Sequence, residues 1–85
     1  MIYPDILLNG GTDRVMLGMT NIYIDRKNRS LKITHAGEQG HTVYTIKNTI
    51  DKIYGKGSFD GLVASAKNKT ESGTPSYLYT LTLEF

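Results

Sequence analysis

The chain has 85 residues, 39% hydrophobic and 21% charged, with no cysteine and a formal net charge of +2. That length supports a single domain with one core across residues 1–85, and the apolar fraction excludes a disordered tail. Without cysteine there can be no disulfide or thiolate metal site, and a charge of +2 is too small to mark a nucleic-acid binder by itself.

The first five residues, Met1 to Asp5, show no basic region followed by an apolar stretch, and no apolar run approaches the length of a membrane span. The expectation is a soluble chain, with the cytoplasm as default location. Ile6-Leu7-Leu8 reads as an N-terminal edge strand before an Asn9-Gly10-Gly11 turn. The first long strand is expected to begin near Arg14 and to run through the apolar Val15 to Met19 as far as Asp25, with Gly18 suggesting a bulge or a close backbone contact.

Ile22 to Asp25 and Ser30 to Thr34 flank Arg26-Lys27-Asn28-Arg29 and read as a hairpin. If those four residues form the loop, Asp25 faces Ser30, Ile24 faces Leu31, Tyr23 faces Lys32 and Ile22 faces Ile33. A one-residue slip would set apolar against polar on both faces, so the pattern specifies this register.

After a turn at Ala36–Gly40, His41 to Lys47 is rich in β-forming residues and is expected to be a third long strand. Asn48 is a candidate helix cap, with Asp51 three residues on. Ile50, Ile53 and Tyr54 share one helical face and Gly55 supplies a stop, which predicts a short helix near 48–54. Phe59 to Lys67 reads as a strand, and Asn68 to Ser76, with no large apolar residue, as a loop. Tyr77, Tyr79, Leu81, Leu83 and Phe85 alternate with Leu78, Thr80, Thr82 and Glu84, a strand with its odd-numbered side chains on the core.

The expected fold is mainly β. Element order suits a small five-stranded barrel, OB-like or SH3-like, with one short helix near residues 48–54 and the extra N-terminal edge strand. A split-barrel or PH-like arrangement shares that order.

No constellation for catalysis emerges. His35, Glu38 and His41 fall within seven residues and could converge on zinc, but no fourth ligand is evident nearby and the glycines make the loop pliable. Gly55-Lys56-Gly57 lacks the spacing of a dinucleotide or phosphate loop, and here it is expected to enter a strand. No serine lies in a nucleophile-elbow pattern. Two N-glycosylation patterns, at Asn28 and Asn68, come without a secretory signal. No enzyme activity, metal or cofactor is therefore expected.

Positive charge concentrates between residues 26 and 56, and most densely at Arg26, Lys27 and Arg29. Tyr23 and Lys32 adjoin that hairpin tip in the inferred register, and in an OB-like barrel Lys67 and Lys69 would lie on the second loop bordering the ligand face. Tyr and Arg are favoured interface anchors. The expectation is a non-catalytic module that binds a larger protein as adaptor, assembly component or inhibitor, through Tyr23, Arg26, Lys27, Arg29, Lys32, Lys67 and Lys69. The alternative is a nucleic-acid-binding barrel that contacts phosphates through the basic tip.

Overall fold

In a computed structural model, which describes Leu7 and residues 11–36, 42–74 and 78–85, five strands and two helices alternate along the chain. They are β1 (Thr12–Leu17), β2 (Thr20–Asp25), β3 (Ser30–Ala36), α1 (Thr42–Tyr54), α2 (Ser58–Ser65), β4 (Asn68–Thr74) and β5 (Leu78–Glu84). The strands form one antiparallel sheet in the order β1-β2-β3-β5-β4. The sheet is not closed: its edges, β1 and β4, do not pair with each other. The expected barrel needs that closure. An open sheet instead has one face to bury, and the two helices bury it.

The β2–β3 hairpin has the register its pattern specifies, with Asp25 opposite Ser30, Ile24 opposite Leu31, Tyr23 opposite Lys32 and Ile22 opposite Ile33. Its loop is closed by Asp25, whose carboxylate accepts hydrogen bonds from the backbone and side-chain amides of Asn28 at 3.1 and 2.8 Å. β1 joins β2 through Gly18 and Met19 alone, with Leu17 opposite Thr20. Gly18 has φ +60° and Met19 keeps a negative φ, the pattern of a two-residue turn that requires glycine first. The single strand expected from Arg14 to Asp25 is therefore two antiparallel strands, and the turn between them, rather than a bulge, is the reason for the glycine.

β5 also follows its alternation. Leu81 and Leu83 are buried opposite Ile33 and Leu31. With Ile22 and Ile24 they make the sheet's contribution to the core, and Ile46 and Ile50 from α1 and Phe59 and Leu62 from α2 complete it, with Leu7 also buried. Ile53, Tyr54, Tyr79 and Phe85 pack at its margins.

Three expectations are corrected. The segment 41–47 is not a strand: α1 begins at Thr42 and runs through the short helix expected at 48–54, so Asn48 lies mid-helix and caps nothing. Its β-branched residues suit either state, but Ile46 and Ile50 are buried and Ile53 packs against the same core, and the seven-residue step from Ile46 to Ile53 can face one core only on a helix. Tyr44 is exposed. The strand expected at 59–67 is α2, where Phe59 and Leu62 are buried and Ala64 and Ser65 face solvent. Finally, most of the expected 68–76 loop is β4. An edge strand with both faces largely in water needs no apolar residue, so its sequence carries no hydrophobic period. The edge strand expected at 6–8 and the side chain of Tyr77 lie outside the described residues, apart from buried Leu7.

Candidate functional site

The helices cover one face of the sheet, and among the described residues no element covers the other. Alternation assigns to it Thr12, Arg14 and Met16 from β1, Asn21, Tyr23 and Asp25 from β2, and Ser30, Lys32 and Thr34 from β3. Thr80, Thr82 and Glu84 from β5, and Asn68, Thr70 and Ser72 from β4, extend it. These residues stand in rows across the strands. The central row is Arg14, Tyr23, Lys32, Thr82 and Thr70, each directly opposite the next.

Tyr23 therefore lies between two cations. The Arg14 guanidinium is over its ring, 6.0 Å from the centroid, the outer limit of a cation–π contact. Lys32 is its direct partner on the other side. A groove of about 470 Å³ runs beside the ring, lined by Thr12, Asp25, Ser30, Lys32 and Thr34 among others. The row toward the hairpin tip is acidic at two places, Asp25 and Glu84, which flank Ser30. The Asp25 carboxyl is held below the usual carboxylate range, chiefly by its hydrogen bonds from Asn28, so it stays charged.

The structure brings together some of the expected contact residues and separates others. Tyr23 and Lys32 are neighbours on the open face, and Lys27 and Arg29 are exposed at the tip. Arg26 is turned away: its guanidinium reaches the Asp13 carboxylate at 3.8 Å, and its backbone N–H donates to the Gly11 carbonyl. Asp13 lies opposite Ile24, on the helix side of the sheet. Lys67 joins the tip's end of the molecule, since its N–H donates to the Glu84 carbonyl while the Phe85 N–H donates to that of Arg29. Lys69 lies opposite buried Leu83, hence on the helix side at the β4 edge, where its ammonium meets Glu71 at 2.9 Å. The two loops expected to frame a ligand face are thus a β2–β3 hairpin tip and, in the main, a paired strand. They do not form one rim.

Sequence reasoning missed Arg14. The signal was present: a two-residue turn at Gly18-Met19 sets Val15 opposite Ile22 and so Arg14 opposite Tyr23. It also missed a group of exposed apolar side chains at the other end of the sheet. Met16, Leu17 and Met19 around the β1–β2 turn, Tyr44 near the start of α1, and Leu78 at the start of β5 are all exposed. A cavity of about 500 Å³ between that turn and α1 is lined by Leu17, Met19, Thr20, His35, Tyr44 and Lys52.

His35, weighed as a metal ligand, is 5% exposed and shares a 2.9 Å hydrogen bond through Nδ1 with the hydroxyl of Thr20, its direct partner across β2 and β3. Glu38 and His41 lie outside the described residues, among which no cluster of three metal-ligating side chains occurs. Gly55-Lys56-Gly57 opens α2 rather than a strand. The helix N-terminus there is already engaged, because the Asp51 carboxylate accepts the Phe59 N–H at 3.0 Å. Asp60 adds a second negative charge in the first turn, which disfavours a phosphate. Among the described residues no helix is long and apolar enough to cross a membrane. In comparisons with family models, curated proteins and solved structures, the chain matches none.

Proposed function

We propose that this chain is a non-catalytic binding module for a larger protein, which it contacts through the open face of its sheet around Tyr23. The observation that carries the reading is the Arg14–Tyr23–Lys32 row: an exposed aromatic ring between two cations, on a face that no other element covers among the described residues. Such a row offers contact area and charge together, the combination enriched at interface anchors. Lys27 and Arg29 at the tip add positive potential that steers an acidic partner. Adaptor, assembly and inhibitory roles all use a surface of this kind.

Three features favour a protein over single-stranded nucleic acid. Base-stacking platforms use successive aromatic rings, and on this face Tyr23 is the one aromatic among the described residues. Asp25 and Glu84 stand between the central row and the basic tip, where a phosphate backbone would have to pass. Met16, exposed on the same face, adds adaptable apolar contact suited to a protein surface.

The test uses affinity capture from lysate with the wild-type chain and a Tyr23→Ala/Lys32→Ala variant side by side, together with a labelled oligonucleotide titrated across a salt series. The expected result is a protein retained by the wild type and lost by the variant, with no oligonucleotide binding at low salt. Oligonucleotide binding that weakens steeply with salt would replace the protein reading with the nucleic-acid one. A partner retained equally by both baits would move the contact surface away from Tyr23.

A further inference from the structure

The β4 edge bears on self-association. β4 pairs with β5 on one side, and among the described residues no strand pairs with its other side. Asn68 to Gly73 are exposed throughout. An edge of this kind presents unpaired backbone donors and acceptors, and natural proteins protect such edges by charge, proline or a short strand. β4 spans seven residues, Asn68–Thr74, with no proline. Its charges are Lys69 and Glu71, two residues apart and therefore on the same face.

We propose that β4 is the seam of a symmetric homodimer in which two copies of this chain pair antiparallel about a two-fold axis at Thr70. In that register Thr70 faces Thr70 of the second copy, Lys69 faces Glu71, and Glu71 faces Lys69. Both charge pairs sit directly across the seam, where opposite charges attract. The intrastrand Lys69–Glu71 pair at 2.9 Å becomes part of an alternating four-charge network. The axis stands perpendicular to the sheet, so the sheet continues through both copies with both helix layers on one side. This is an isologous contact, in which each residue's partner recurs by symmetry.

The charges also reject the neighbouring registers. Moving the axis to Lys69 sets lysine on lysine, and moving it to Glu71 sets glutamate on glutamate. The β1 edge offers no such match, since an axis at Arg14 opposes two arginines and one at Val15 opposes Asp13 with Leu17. At about 3.3 Å per residue the seam is only about 23 Å long, so the dimer is weak and depends on concentration and salt.

Sedimentation velocity from micromolar to about millimolar concentration at low salt tests this, with circular dichroism melts as the folding control. The wild type should dimerise with increasing concentration and dissociate on adding salt. Lys69→Glu alone and Glu71→Lys alone should each weaken self-association about tenfold or more, because symmetry counts every substitution twice. An equimolar mixture of these two variants should re-associate as a heterodimer, and the double variant Lys69→Glu/Glu71→Lys should recover the homodimer. A misfolded variant could produce neither rescue. A wild type that stays monomeric at about millimolar concentration, a dimer indifferent to both reversals, or single variants that fail to re-associate on mixing would each overturn the proposal.

Discussion

The carboxylate of Asp51, near the end of α1, accepts a hydrogen bond from the backbone N–H of Phe59, the second residue of α2, at 3.0 Å. A side chain on one helix thereby caps the next. The residue in the ordinary cap position is Gly57, at φ +87°, which has no side chain to offer. Phe59 is buried, so its amide has no easy recourse to water. Asp51→Ala should therefore cost about 1–2 kcal/mol, the upper range for a lost helix cap. Asp51→Asn, which keeps an acceptor oxygen, should recover most of it. Urea denaturation of the three proteins checks this, and an unchanged midpoint for Asp51→Ala would mean the bond contributes nothing net.

Leu81 is 1% exposed, between Ile33 on β3 and Glu71 on β4. Truncation to alanine removes buried surface and leaves a cavity that the flanking strands cannot close, at about 2–5 kcal/mol. For a domain of this size, whose total stability is on the order of 5–10 kcal/mol, the thermal midpoint should fall sharply. A melt that does not move would take Leu81 out of the core.

Backbone conformation separates two positions that look equally tolerant because both are exposed. Arg29 closes the hairpin loop at φ +52°, where a side chain is strained. Arg29→Gly should raise stability by roughly 0.5–1 kcal/mol. Gly73, at φ +134°, is the reverse case: an added Cβ would collide with the Leu78 carbonyl oxygen and approach the Tyr79 Cα to 2.8 Å. Gly73→Ala should cost about 1–3 kcal/mol. Chemical denaturation of both variants reads the two signs, and equal effects would show that backbone strain is not the cause.

Titration acts on stability from both sides. Burial, and after it the neighbouring Glu71 carboxylate, pushes the Tyr79 phenol well above its usual range, and burial raises Tyr54 as well. A raised folded-state value means the contribution is complete below the unfolded phenol's value, about pH 10, and is lost as pH climbs above it. Glu71 moves the other way, held low first by the Lys69 ammonium and then by the Tyr79 hydroxyl. Its contribution is present above about pH 4 and is lost in acid. Urea midpoints at pH 7, 9.5 and 11 should fall over the last interval, and fall less for Tyr79→Phe. The same alkaline loss in both proteins would assign it to other groups.

The β2–β3 hairpin and the core face of β5 were legible in the sequence because each depends on a period-two pattern that only one strand register can bury. Tyr23 beside Lys32 followed from that register alone. The identities of α1, α2 and β4 were not legible. Thr42 to Ile46 are β-branched or aromatic at most positions, yet Ile46, Ile50 and Ile53 must reach one core, which a strand would not allow, and tertiary burial outweighs an intrinsic preference worth tenths of a kilocalorie per residue. β4 is a strand because β5 lies beside it, and its own side chains contain no apolar alternation to reveal this. The placement of Arg14 over Tyr23, and the retreat of Arg26 to Asp13 and of Lys69 to Glu71, were likewise decided by the tertiary structure. The sequence alone determined where positive charge is dense. Which of those cations share a face depends on strand order and on which side of the sheet the helices cover, and both are set by contacts between residues far apart in the chain.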